Sequence, residues 1–476
     1  MKFPERPYRF KQVFDRLSKV FPFGKDEFQD LLNRKDPGSK AGMTQVFGSR
    51  VSHLKGGTLI YTLLISSVIS MLLAGYLIMN YAQASLLNRQ YYQELAEDNL
   101  QSGLNLWLGS SVGTGHALSL QENWSQNLFD SDIDHCIIEP EPWGLLGLVH
   151  VTAKHGPAEA SRSALIGRTL TGQQLLSFYL RDERQPLTLA GDARLVGNLS
   201  LPPAGIRSGR IGNAVFTGGK LFDGRVSDRR KSLPGLEIEL LNPIFTELEK
   251  LSPAIDPNRY ILDGFSEAHP WSEETKIYET TGSYEVRSVA IKGKCLIKAA
   301  DEIIIGPDAK LEHCILMARK IRIRSGFRGS LQVFAKESVI VEAGVELSYP
   351  SVVMVQGRPD KSASCRIEAN AKVSGSILFL PHLIREKPLR DDQCFVGPLA
   401  EIKGTLYASY HLDVRGTVQG HTTTGSLLVR TPAALFRNHL LDGKFVGVFR
   451  KTPLRNFVAP IIFPTEKHEL IQWLEK

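Results

Sequence analysis

Residues 303–341 read IIIGPDAKLEHCILMARKIRIRSGFRGSLQVFAKESVIV, and the spacing inside this stretch decides the fold. Ile303-Ile304-Ile305-Gly306, Ile321-Arg322-Ile323-Arg324 and Val339-Ile340-Val341-Glu342 begin 18 residues apart, twice in succession. A second series runs beside the first: Cys314-Ile315-Leu316-Met317-Ala318, Leu331-Gln332-Val333-Phe334-Ala335, Val352-Val353-Met354-Val355 and Ile377-Leu378-Phe379-Leu380. Turn-like segments lie between them, at Gly306-Pro307-Asp308-Ala309, Ser325-Gly326-Phe327-Arg328-Gly329 and Glu342-Ala343-Gly344-Val345. Apolar runs this short, with no long helical pattern separating them, do not suit a doubly wound sheet. A fixed period with short strands and Gly/Asn/Asp turns is the pattern of stacked coils, in which inward residues form apolar ladders.

The expected fold class is therefore mainly β: a parallel β-helix solenoid with an N-terminal transmembrane α-helix, a small membrane-proximal α/β region and a C-terminal cap. A β-sandwich is the structural alternative. The solenoid is expected over residues 186–430, with later coils at Arg366–Asn370, Glu401–Gly404 and Val414–Val418. Residues Gly191–Val226 read as earlier coils, interrupted by an insertion near 232–274 that carries the helical stretch EIELLNPIFTELEKL. Residues 109–185 read as a linker and a small β-layer, with strand-like runs at Cys136–Ile138, Gly144–Thr152 and Ser163–Arg168. Residues 431–476 read as a cap ending in the helix-like HELIQWLEK. In coil length and Ile/Val/Gly composition the repeat region resembles the bactofilins, polymer-forming cytoskeletal β-helices. That resemblance implies a self-associating scaffold.

From Gly56 to Asn88 there is no charged residue, and Leu59–Met79 is almost wholly apolar. About 20 apolar residues at 1.5 Å per residue span a bilayer. Ser66, Ser67 and Ser70 are tolerated there if their hydroxyls bond back to helix carbonyls. Lys40, Arg50 and Lys55 precede the span, and Arg89, Glu94, Glu97 and Asp98 follow it. The positive-inside rule then places residues 1–55 as a basic cytoplasmic arm or leader and the body outside a bacterial cytoplasmic membrane. Past the span, Leu86, Leu87, Tyr91, Leu95, Leu100 and Leu104 keep helical spacing, so the helix is expected to run over 56–108. Ala82-Gln83-Ala84 has the form of a signal-peptidase site, the alternative fate of this segment.

Lys55-Gly56-Gly57-Thr58-Leu59-Ile60, a basic residue, glycine and then the head of an apolar helix, resembles the processing region of type IV pilins and pseudopilins. The resemblance implies leader removal between Gly56 and Gly57. Tyr61 stands fifth in the mature numbering, where that family usually has a glutamate that pairs with a neighbouring subunit's terminus, and this is closer to some minor pilins. Met43 offers an alternative start that would give a leader of prepilin length. The arm itself spaces Phe10, Val13, Phe14, Leu17, Val20 and Phe21 as an amphipathic surface helix would.

The chain carries 57 Lys/Arg against 50 Asp/Glu, a net of +7, and residues 1–57 hold 12 of the basic against 6 of the acidic groups. The body is nearly neutral, which disfavours nucleic acid as a partner. None of the five cysteines sits in a CxxC pair or at metal spacing, so no zinc site is expected and the thiols read as small buried side chains. No nucleophile elbow, metalloprotease or phosphate-loop motif is present, so no catalytic residue and no cofactor are assigned. Asp301, Glu302, Asp308 and Lys310, and Asp391 with Asp392, read as solvated turns. His421-Thr422-Thr423-Thr424 reads as a surface turn or an exposed polar ladder. Lys320, Arg322, Arg324 and Arg328 form a candidate contact ladder for an anionic glycan or acidic partner, against the plainer reading of a solvated face.

The expectation is a non-enzymatic, single-pass envelope protein, a structural or assembly part of a pilus- or secretion-type apparatus. Its partners would be the membrane and other envelope or pilin-like proteins. The alternatives are a membrane-tethered polysaccharide lyase or hydrolase and a self-assembling scaffold.

Overall fold

The computed structural model describes residues 57–110, 122–170, 176–226, 232–236, 238–251, 256–447 and 466–474. The basic arm, Met43 and Gly56 lie outside the described residues. The described residues divide into two units between Asn80 and Tyr81.

The chain is mainly β, behind one long helix, α1 (Gly57–Ser110), and a second short one, α2 (Ile238–Glu249). Most strands pair in parallel, each with the strand one repeat later. Ile303 is the partner of Ile321, and Ile321 of Val339, so the 18-residue spacing is a hydrogen-bonded register. The same column includes Tyr284 before them and continues through Cys365, Cys394, Leu412 and Leu427. A second column runs Tyr278, Ile297, Leu316, Val333, Val353, Ile377, Leu406, Thr422, Phe178. A third passes through Leu347, Val373, Ile402, Val418, Phe445 and Leu195. All but Tyr278 and Thr422 belong to one buried apolar cluster, with Tyr278 packed against it. Parallel pairing of this extent removes the sandwich alternative, whose sheets are antiparallel.

The columns differ on their outer sides. In the first, IRIR and SVIV alternate buried and partly exposed residues. In the second, Ile315, Met317, Phe334, Val352, Met354 and Leu378 face outward yet are buried. They are covered by α2, through Leu241, Ile244 and Leu248, and by Trp143, Leu146, Leu148 and Leu165 of a second sheet. Covering both faces produces the unbroken apolar runs of this series.

That second sheet is antiparallel: β1 (Trp124–Asn127), β2 (Asp134–Trp143), β3 (Leu146–His155), β4 (Ala158–Leu170) and the C-terminal strand Glu466–Trp473. The HELIQWLEK segment is thus a strand, not a helix. The free edge of β4 supplies its hydrogen bonds, and its side chains divide by alternation, Leu470 toward α1 and Ile471 toward the parallel body. α1 packs Ala96, Leu100, Leu104 and Trp107 on the opposite face of the same sheet.

The order of the rows departs from the chain order. Strands Phe178–Leu180, Arg194–Ser200 and Asp223–Val226 belong to the parallel system, but they follow strand Thr417–Arg430 instead of preceding Arg259: Phe178 pairs with Thr422, Arg194 with Lys444, and Asp223 with Val196, while Arg210–Ile211 and Ala214–Val215 pair antiparallel with each other. The segment after them returns along the wall. Tyr179 donates to the Ser232 carbonyl (2.5 Å) and Tyr407 to that of Pro234 (3.2 Å), while Lys298 pairs with Glu247 at the other end. Of the stretch expected as an insertion near 232–274, the part up to Leu251 is a strap over the second column, whereas Arg259–Asp263 and Ser266–His269 pair as rows of the parallel system. Residues 435–446 likewise form a row between Thr417–Arg430 and Arg194–Ser200, so they do not cap an end.

The later rows turn one corner on glycine. Gly375, Gly404 and Gly420 are successive partners with φ of +141°, +143° and +140°. A Cβ on Gly404 would land on the Gly375 carbonyl oxygen, and one on Gly420 on that of Gly404. Gly404→Val is expected to cost about 3–5 kcal/mol, since it adds backbone strain to a backbone clash. Gly344→Ala, at φ +73° in open space, should cost about 1 kcal/mol. Urea midpoints of the two variants check the difference, and equal losses would contradict the corner column.

Candidate interaction surfaces

α1 offers the first surface. Its apolar residues are exposed on every side, from Leu59 at 68% and Met71 at 79% to Tyr81 at 79%. The segment is long and apolar enough to cross a membrane. Thr62, Ser66 and Ser67 donate to the carbonyls of Leu59, Leu63 and Leu64 at 2.8–3.0 Å, so these three hydroxyls are satisfied within the helix. Leu86, Leu87 and Tyr91 remain exposed beyond this segment, and burial against the sheet begins at Ala96. Of the stripe expected from the sequence, Leu100 and Leu104 reach the core, and Leu86, Leu87 and Tyr91 stay outside it.

The lower helix is locked to the sheet by a polar clasp. Asn99 donates to Asp134 Oδ1 (2.7 Å) and to the Lys154 carbonyl (3.0 Å), and His155 Nδ1 lies 2.5 Å from the same carboxylate. Burial works to raise the Asp134 pKa, but bonds from His155, Asn99 and Ser131 outweigh it and hold the carboxyl below its ordinary value. One turn on, Gly103 lets the helix backbone approach Cys136 so closely that any Cβ would strike the sulfur.

Of the candidate ladder, Lys320, Arg322 and Arg324 follow one another along the outer side of the first column, whereas Arg328 lies past the turn at 325–327, at the head of the strand that enters the third column, and the arginine charges are compensated. Arg322 lies between Glu302 (3.8 Å) and Glu342 (3.3 Å), Arg324 beside Glu285 (3.1 Å), and Arg328 beside Glu346 (3.6 Å). Lys320 is exposed and is the register partner of Glu302. Glu285 is only 3% exposed, ringed by Arg259, Arg287 and Arg324, and the Arg287 hydrogen bond leads in lowering its pKa. Interleaved signs on adjacent strands give a hydrated, nearly neutral wall whose worth lies in cross-strand pairing.

The acidic turns divide. Asp301 pairs with Arg319 (2.5 Å), and Asp308 accepts from the Ser288 amide and hydroxyl. Lys310 is exposed. Asp391 is exposed and paired with Arg430, whereas Asp392 is fully buried. Asp392 is no solvated turn residue: it accepts from the amides of Ala363 and Leu389 and pairs with Arg385, fixing the loop before strand Gln393–Val396. His421-Thr422-Thr423-Thr424 is also no surface turn. These residues are at most 1% exposed because strand Phe178–Leu180 lies on them. His421 Nδ1 donates to the Leu176 carbonyl (2.5 Å), Nε2 accepts from Thr423, and burial pushes the imidazole pKa down to about 4.

Sequence reasoning missed the two ends of the parallel system. Strands Arg259–Asp263, Ser266–His269 and Lys276–Thr280 pair along one edge only among the described residues, as does Asp223–Val226. Tyr260, Ile261 and Ile277 are exposed at the first end, Val215 and Val226 at the second. Residues 256–282 carry six acidic and two basic groups, and residues 203–226 one acidic and four basic. The signal was available as a charge asymmetry, but the chain order hid that the two segments bound opposite ends.

Among the described residues no three His, Cys, Asp or Glu converge as metal ligands. No protein family, curated protein or solved structure matches this chain.

Asp134→Asn is expected to destabilise the helix–sheet junction by about 2 kcal/mol near neutral pH. The wild-type carboxyl has a depressed folded pKa, so its contribution is present above the ordinary aspartate value and is lost as pH falls through the folded one. Chemical denaturation at neutral pH and below pH ~3.8 should show the two proteins converging in acid. A constant gap would contradict the clasp.

Proposed function

We propose that this chain is a non-enzymatic, single-pass bacterial envelope protein that holds a parallel β-helix outside the cytoplasmic membrane, as a structural or assembly component of a pilus- or secretion-type apparatus. The observation that carries this reading is α1. It is one unbroken helix that begins in an all-round apolar segment and ends in the core against the antiparallel sheet. An anchor continuous in sequence with a helix packed in the core ties the head to the membrane, and Asn99, Gly103 and the packed face of the helix make that tie. Basic residues before the span and acidic ones after it favour export of the head. The lysine-glycine-glycine entry to the helix favours a pilin-type leader cut between Gly56 and Gly57.

The coil reading is supported by three parallel columns that advance by one repeat per row, the later rows turning the same glycine corner. Winding one chain through three stacked columns is what a solenoid is. The outward carboxylates of the candidate ladder are tied to guanidinium groups on neighbouring strands, which favours a structural wall over a hydrolytic groove. A second reading, a self-associating scaffold, is favoured by the two open edges. They have exposed apolar residues and opposite charge, and unpaired parallel edges accept a further strand.

Reporter fusions test the topology. A reporter active only outside the cytoplasm, fused after Lys476, should be active, and a cytoplasm-only reporter silent; the reverse pattern overturns export. For processing, Gly56→Leu should leave a membrane form larger than wild type by the leader. Equal lengths in both versions would end the pilin-type reading.

A further inference from the structure

Four of the five cysteines stand in two facing pairs. Cys365 and Cys394 are register partners on the parallel strands Ser364–Ile367 and Gln393–Val396. Cys295 and Cys314 immediately precede the partners Leu296 and Ile315, which sets them opposite one another on Cys295–Ala299 and Lys310–Ile323. All four are fully buried and share one inward-facing core. Neighbouring strands lie about 4.7–4.9 Å apart, inside the Cα separations of roughly 4.4–6.8 Å that a disulfide bridges. Within each pair the neighbouring thiol leads in raising the pKa, of Cys314 beside Cys295 and of Cys394 beside Cys365. Cys136 belongs to a different core, against α1, away from the other four.

The two pairs occupy the rows that most need a staple. The step along the first column is 18 residues between Ile303, Ile321 and Val339, but 26 from Val339 to Cys365 and 29 from Cys365 to Cys394. The longer step holds the excursion through Pro381–Leu383 and Asp392. Cys295 and Cys314 tie the rows next to the open acidic end, where strands Arg259–Asp263 and Lys276–Thr280 lack a second neighbour among the described residues. Closing a longer loop removes more disorder from the unfolded chain.

We propose that Cys295–Cys314 and Cys365–Cys394 are oxidised to two disulfides in the mature protein, with Cys136 left as a thiol. The inference rests on the reading that the head is exported, since disulfides persist in oxidising compartments. The oxidant is a disulfide-carrying thiol oxidase or exchange protein of the envelope. One cysteine thiolate attacks the donor disulfide and forms a mixed disulfide. Its partner thiolate then displaces the donor, so two protons leave the cysteines and the donor departs as a dithiol with both electrons. The sulfurs are sealed in the folded core, and the Cys314 and Cys394 thiols are held well above the usual range, first by the neighbouring thiol and then by burial. Oxidation therefore belongs to the folding chain, before the rows close.

Thiol counting on the full-length protein tests this. Membranes are quenched with a permeant maleimide, and the protein is denatured in excess maleimide and analysed by mass spectrometry. The proposal expects one adduct, on Cys136, and five after reduction. Cross-linked peptides should join 295 to 314 and 365 to 394. Cys394→Ser should show two adducts, on Cys136 and Cys365. Five adducts without reductant, with the topology reporters placing the head outside, overturn the disulfides alone. Five adducts with the head in the cytoplasm overturn both the disulfides and the export reading.

Discussion

The register of the parallel strands governs everything else in the head. Each residue lies beside its equivalent one repeat earlier, bonded to it through the backbone, so every row inherits the demands of the row before. A column must be apolar throughout if it points inward, as Ile303, Ile321 and Val339 are. It must be glycine where the chain turns with positive φ and a neighbouring carbonyl fills the space of a Cβ, as at Gly404. Outward positions are free only where nothing covers them. This explains why one outer wall carries Arg322 and Glu302 while another is sealed under α2.

The same rule accounts for buried polar groups. Thr422, Thr423 and Thr424 lie where the row order jumps from the latest residues back to Phe178, and they are sealed because a further strand stacks on them. Asp392 is buried because an excursion must return to register, and its carboxylate fixes the amides of Ala363 and Leu389 at that return. Glu337, also buried, gathers Arg319, Arg358 and Lys361 along the wall. These groups set where loops rejoin the stack.

What was legible in the sequence was what repeats or is long. The 18-residue spacing of residues 303–341 became hydrogen-bonded register, and the uncharged stretch became a helix. Gly191–Val226 was placed in the right sheet but at the wrong end, because periodicity identifies a row without giving its neighbour. The strand character of HELIQWLEK depends on the free edge of β4, some 300 residues earlier in the chain, and no local pattern reports it. The arginines were visible as a group in the sequence, but their carboxylate partners arrive from adjacent rows. The pairing of the cysteines was invisible for the same reason: Cys365 and Cys394 meet only once the intervening excursion is counted out.

The central claim is a single parallel stack in which the rows after residue 176 close the end formed by the latest rows. Paired cysteine substitutions in the full-length protein measure that order directly. With Arg194→Cys and Lys444→Cys, mild oxidation should give an intramolecular cross-link, because these residues are register partners. Arg194→Cys with Arg259→Cys, the pair that chain order alone would bring together, should give none. A cross-link in the second pair and none in the first would contradict the account.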